Sequence, residues 1–241
     1  MDDFLIKNYS VLTKAFEYAA LITGLLTYRK FKNTPIKYFI LFILYTVLVE
    51  MGGSVPRQLY PGGLLENYEY LLAYKFFFSN YWWYGLFWTI GSVLFWSFFY
   101  QQIIHIKSYR TILNISTYIF VVCISIYTIM HIDQFFKTVL TFNKIFGSII
   151  ILMAIVLYFL NVLQSDIILS FYKSIYFYIS MILFFWWIIT MPLYFYQKFV
   201  FVDTTALINL LKLTRLFANV LMYGTFVLAL AFCKPEKSLR V

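Results

Sequence analysis

Acidic side chains are scarce in this chain: ten Asp and Glu stand against nineteen Lys and Arg in 241 residues, and together these four types make up only 12%. Soluble domains carry about twice that share of charge, so a water-solvated globule is excluded. Cysteine and histidine are rarer still, two of each. Cys123 sits within one apolar run and Cys233 at the end of another, too few for a disulfide framework, and both read as packing residues. No Cys or His stands at a metal-ligand spacing from another, so no metal and no cofactor are expected; His105 and His131 fall at helix ends and read as interfacial. The opening "MDDFLIKNYS" is acidic where a secretory signal needs cations, and no small-residue cleavage site follows the first apolar run. The first helix is therefore expected to be retained.

Apolar residues fill the space that charge leaves. They make up 63% of the chain, with a mean hydropathy of +0.80, and runs of about 20 of them match the thickness of a bilayer. The sequence predicts an all-α polytopic membrane protein, one seven-helix transmembrane domain over residues 1–241. The spans are expected at 9–28, 35–54, 76–104, 110–131, 141–163, 174–198 and 204–232. "YRKFKNTP" is a basic turn with Pro35 opening the second helix, and "GGSVPRQLYPGG" is expected to end it. The third run exceeds what a bilayer needs, which predicts tilt or projection beyond the interface.

Lys and Arg set the orientation, because short cytoplasmic loops retain them. With the N-terminus outside, the inner side holds ten: Arg29, Lys30, Lys32, Lys37, Lys107, Arg110, Lys173, Lys234, Lys237 and Arg240, opposed only by Asp166 and Glu236. The outer side holds Lys7, Arg57, Lys75, Lys137, Lys144 and Lys198 against Asp2, Asp3, Glu66, Glu69, Asp133 and Asp203. An N-outside, C-inside arrangement follows, and it accounts for the net charge of +9 without nucleic acid. The aromatics, 23% of residues, form interface belts such as "NYWWYGLFW".

Besides Lys37, Arg110, Lys144 and Lys198 at span ends, five charges fall inside predicted spans, where each costs about 2.5–3.5 kcal/mol at the helix centre unless paired, cavity-facing or near an end. Lys14 and Glu17 share a face of helix 1, Glu50 lies a turn from the outer end of helix 2, and Lys212 and Arg215 share a face of helix 7. All five lie in the outer half. If seven sequential helices close into a ring, helix 1 neighbours helices 2 and 7, and the five form one outward-opening cluster. Two readings stay open. In one, Arg215 pairs with Glu17 and Lys212 with Glu50 to set helix register, or the lysines snorkel to headgroups. In the other, Lys212 and Arg215 floor a pocket for an anionic or zwitterionic ligand or lipid. Asn80, Tyr81, Trp186, Thr190, Asn209 and Asn219 are candidate cavity lining, although membrane Asn more commonly joins helices. Pro192 is expected to kink helix 6.

Retinal binding is not supported, since Lys212 lies too far toward the outer end and helix 3 carries no carboxylate counter-ion. An internal repeat of the kind found in small sugar transporters is also not supported. "YRKFKNTPIKYFILFILYTVLVE" (28–50), "FFWWIITMPLYFY" (184–196) and "LFANVLMYGTFVLALAF" (216–232) together resemble the textures of uncharacterised seven-helix inner-membrane proteins of bacteria, often encoded near two-component signalling genes. The resemblance implies a fold, a bacterial inner-membrane location and a signalling context, with no activity attached. Three functions fit the residues: a receptor-like or accessory protein coupled to a membrane or cytoplasmic protein partner, a small transporter or membrane-embedded lipid-modifying enzyme, or a structural subunit with a buried ion network. The first is the working expectation.

Overall fold

The computed structural model describes residues 2–165, 168, 170–199 and 205–235; the charges assigned above to Asp166, Asp203, Glu236, Lys237 and Arg240 lie outside the described residues, as do the side chains of Asp2, Asp3, Lys75 and Lys198. The described residues are helical, with no strand among them. The long helices are α1 (Tyr9–Phe31), α2 (Ile36–Gly53), α3 (Gly91–Ile103), α4 (Lys107–Met130), α5 (Thr141–Leu163), α6 (Ile175–Phe199) and α7 (Thr205–Phe232). Among the described residues five helical runs are long and apolar enough to cross a bilayer: Ile36–Leu59, Lys107–Met130, Thr141–Leu163, Ile175–Tyr196 and Thr205–Phe232. In lipid a span must satisfy its own backbone, which is why unbroken apolar sequence becomes helix. On α4, Tyr118 and Ile129 are each 72% exposed, a surface suited to hydrocarbon. The protein is an integral membrane protein surrounded by lipid.

One expectation about helix ends holds and one needs correction. The second helix, expected over 35–54, runs Ile36–Gly53, and after Ser54 a separate turn, Val55–Leu59, follows. Pro56 falls in the first positions of that turn, where its missing N–H leaves no helical bond unmade. The run at 76–104 is not one helix. A turn at Lys75–Phe78 ends in extended backbone at Ser79, and the helix restarts at Tyr81–Trp83, widens into a π-helix over Tyr84–Ile90, and continues as α3.

The chain forms two compact units, one of residues Met1–Ile43 with Phe159–Val241 and the other of Leu44–Tyr158. In the first, α1 and α6 pack on α7. The Lys30 ammonium donates to the carbonyls of Leu230 (3.3 Å) and Ala231 (3.1 Å), a cation at the negative end of the helix. Phe39 meets Phe226 edge to face at 4.9 Å. Trp186 Nε1–H donates to Asn219 Oδ1 at 2.8 Å, joining α6 to α7. Pro192 lies inside an uninterrupted α6, and the Thr190 hydroxyl donates to the Trp186 carbonyl at 2.7 Å.

In the second unit, α3 and α4 form an antiparallel hairpin tied by the hydroxyls of Thr117 and Ser97 at 2.9 Å. Gly147 of α5 lets that helix close on Val93 and Phe120, since a Cβ there would stand 3.0 Å from Val93 Cγ2. Asn143 Nδ2 donates to Thr128 Oγ1 at 3.0 Å, fastening the start of α5 to the end of α4.

Candidate functional site

The end of α2 presents carbonyls to side chains of the restarted helix, and at Gly53 the helix supplies no donor of its own. Trp83 Nε1–H donates to the Val49 carbonyl at 2.8 Å, and Asn80 Nδ2 to the Gly53 carbonyl at 2.9 Å. The Tyr84 hydroxyl donates to Glu50 Oε2 at 3.0 Å. Gly52 and Gly53 make this approach feasible, because a Cβ on either would strike the ring of Trp83 or Tyr84.

The π-helix follows directly. Gly91 N–H donates to the Leu86 carbonyl, a bond one residue longer than the α-helical one. Within the widened stretch the Phe87 carbonyl accepts from the Tyr45 hydroxyl at 2.6 Å. Gly91 leaves room for that hydroxyl, which a Cβ at this position would strike.

The widened face borders a cavity of about 260 Å³. Asn80, Tyr81, Tyr84, Gly85, Trp88 and Thr89 line it, together with Phe135, Thr138, Val139, Leu140, Asn143 and Lys144. Asn143 is 2% exposed, its amide nitrogen is held by Thr128, and its Oδ1 is buried without a hydrogen-bond partner. Such an acceptor costs about 1–3 kcal/mol relative to a bonded one. A second hollow of about 380 Å³ is walled by Gly52, Val55, Pro56, Phe76, Phe77, Ser79, Trp82 and Trp83, together with Asn80. It is almost wholly apolar and aromatic. Asn80 lines both.

Two of the sequence-derived lining residues, Asn80 and Tyr81, therefore border this cavity, and Glu50 is tied to it through Tyr84. The others lie in the first unit. Lys14 and Lys212 are exposed; Glu17 is buried at 4% exposure, and Arg215 and Asn209 are half-buried. The Lys30 contacts set α1 and α7 parallel, so a residue of α1 lies level with one about 200 further along the chain. Glu17 and Arg215 consequently occupy nearly one level on packed helices. Trp186 and Asn219 bond to each other, and Thr190 is buried against its own helix.

Sequence reasoning did not select Tyr84, Trp88, Thr89, Asn143 or Lys144 as site residues. Asn143 and Lys144 stand at the start of a predicted helix, where polar residues are ordinary, and the π-helix has no sequence marker beyond the spacing of Gly85 and Gly91. Among the described residues no group of three or more His, Cys, Asp or Glu lies together to hold a metal. Comparison with protein-family models, with curated proteins and with solved structures finds no match for this chain.

Proposed function

We propose that the chain is a receptor-like seven-span protein of the bacterial inner membrane. It binds a small polar or amphipathic ligand from the outer side, in the cavity beside the π-helix, and signals through a membrane or cytoplasmic partner. One observation carries the reading: a buried amide oxygen, Asn143 Oδ1, stands without a donor in the lining of a cavity where Asn80, Tyr81, Tyr84 and Lys144 also converge. A ligand N–H or O–H would supply the missing donor by drawing the Asn143 amide toward the cavity, since the oxygen as it stands has under 1 Å² of accessible surface.

Parity supports seven spans. Because α1 and α7 run parallel, an odd number of crossings must separate the start of one from the end of the other, counting both. The five runs of spanning length and α1 make six, and the helix over 81–103 supplies the seventh. The basic ends at Arg29, Lys30, Lys32 and Lys234 then share the inner side with the loop that carries Lys107 and Arg110. Glu17 and Arg215, level on adjacent helices, favour a register-setting role for the charges of the first unit, since buried ion pairs specify packing more than they stabilise it.

The test is extraction in native-membrane discs followed by mass spectrometry of bound small molecules. A compound retained by the wild type and lost from Asn143→Leu supports the reading. An unliganded protein, with Asn143→Leu silent in complementation of a deletion strain, refutes it.

A further inference from the structure

We infer that the occupant is a single membrane lipid, its headgroup in the cavity beside the π-helix and one acyl chain in the aromatic hollow; this rests on the ligand-site reading above. The two hollows share Asn80 as a common wall, and their chemistry changes across it. The cavity carries Asn143, Lys144 and Tyr81 among apolar neighbours such as Trp88, Phe135 and Leu140, whereas the hollow is walled by Phe76, Phe77 and Trp82. That is the polarity profile of an amphiphile. Lipid is the amphiphile that surrounds the protein, and the carbonyls of the last α2 turn beside the hollow are already engaged by Asn80 and Trp83. A chain seated there displaces no backbone hydrogen bond.

The polar end also selects a headgroup. Lys144 complements a phosphate, and Asn143 Oδ1 needs a donor. Ethanolamine and glycerol headgroups carry N–H or O–H groups, whereas choline carries none. The site therefore favours a phospholipid whose headgroup donates a hydrogen bond.

Trp82 and Trp83 in the hollow and Trp88 in the cavity provide a fluorescence readout for titrations of the full-length protein in maltoside micelles. The probes are dihexanoyl phosphatidylethanolamine, dihexanoyl phosphatidylcholine and glycerophosphoethanolamine. The ethanolamine lipid is expected to bind at least about tenfold tighter than either of the others, the scale of one good hydrogen bond or of two buried methylenes. Val55→Phe, which fills the hollow, should reduce the lipid to the affinity of its headgroup alone. Asn143→Leu should erase the preference over choline, and Thr128→Val, which removes the same interhelical bond while leaving the acceptor, should retain it. Equal binding of lipid and free headgroup, with Val55→Phe silent, overturns the lipid assignment and leaves a polar-ligand site standing. If none of the probes binds, the lipid assignment falls, and the mass spectrometry of Asn143→Leu decides the broader reading independently.

Discussion

The Lys30 ammonium lies 3.1 Å from the carbonyl oxygen of Ala231, a residue 201 positions further along the chain. That contact places the C-terminal ends of α1 and α7 side by side, and the parallel pairing carries the topological argument. It predicts that the start of α1 and the end of α7 face opposite aqueous compartments. In a background lacking Cys123 and Cys233, Asn8→Cys should react with a membrane-impermeant maleimide on intact cells, and Lys234→Cys only after permeabilisation. Labelling of both from one side would mean an even number of crossings.

The bond from Trp186 to Asn219 is a polar link between helices, and in bilayers such links contribute about 0.6–1.7 kcal/mol. Asn219→Leu and Trp186→Phe should each lower stability by that order in steric-trapping or thermal measurements. The double variant should cost less than the sum, because the second change removes a group the first had left without its partner.

Gly91 and Gly224 both stand in apolar helices, yet opposite outcomes are expected. A methyl at Gly91 strikes the Tyr45 hydroxyl and pushes it off the Phe87 carbonyl, so Gly91→Ala should destabilise by about 1–3 kcal/mol, as overpacking does. Nothing lies within 4 Å of a Cβ at Gly224, and Gly224→Ala should be neutral or gain up to about 1 kcal/mol in helix propensity. Melting temperatures of the two variants in one detergent check both.

His105, in the loop between α3 and α4, reaches the surface, but its neighbours remove enough water to push its pKa below the ordinary 6.5, with the Arg110 guanidinium adding to the shift. The unfolded chain then takes up this proton first. The contribution to stability is complete above pH 6.5 and is lost as pH falls through that value toward the folded pKa. Arg110→Gln should raise the His105 pKa only part of the way, since burial is the larger cause. Titration of the imidazole by nitrogen-15 NMR reads this directly.

Much of the helical layout was legible from hydropathy. The fifth helix was expected over 141–163 and is found at Thr141–Leu163, and the first, expected over 9–28, runs Tyr9–Phe31. The interruption at Ser79 was not legible, because Phe76, Phe77 and Phe78 are as apolar as any membrane residue. Their hydropathy holds no record that Asn80 turns back to the Gly53 carbonyl.

By itself the sequence determined that this chain lives in lipid, where its helices fall, and which charges need an explanation. Those are one-dimensional properties: hydrocarbon rewards length and apolarity, and it penalises an unsatisfied backbone wherever that backbone lies. Tertiary structure alone decided that Asn80 and Asn143, 63 residues apart, border one cavity, that a π-helix shapes its wall, and that Glu17 and Arg215 stand level. These depend on which turn of one helix meets which turn of another. A hydrogen bond reaches only about 3 Å, and no local pattern records what lies that close across the fold.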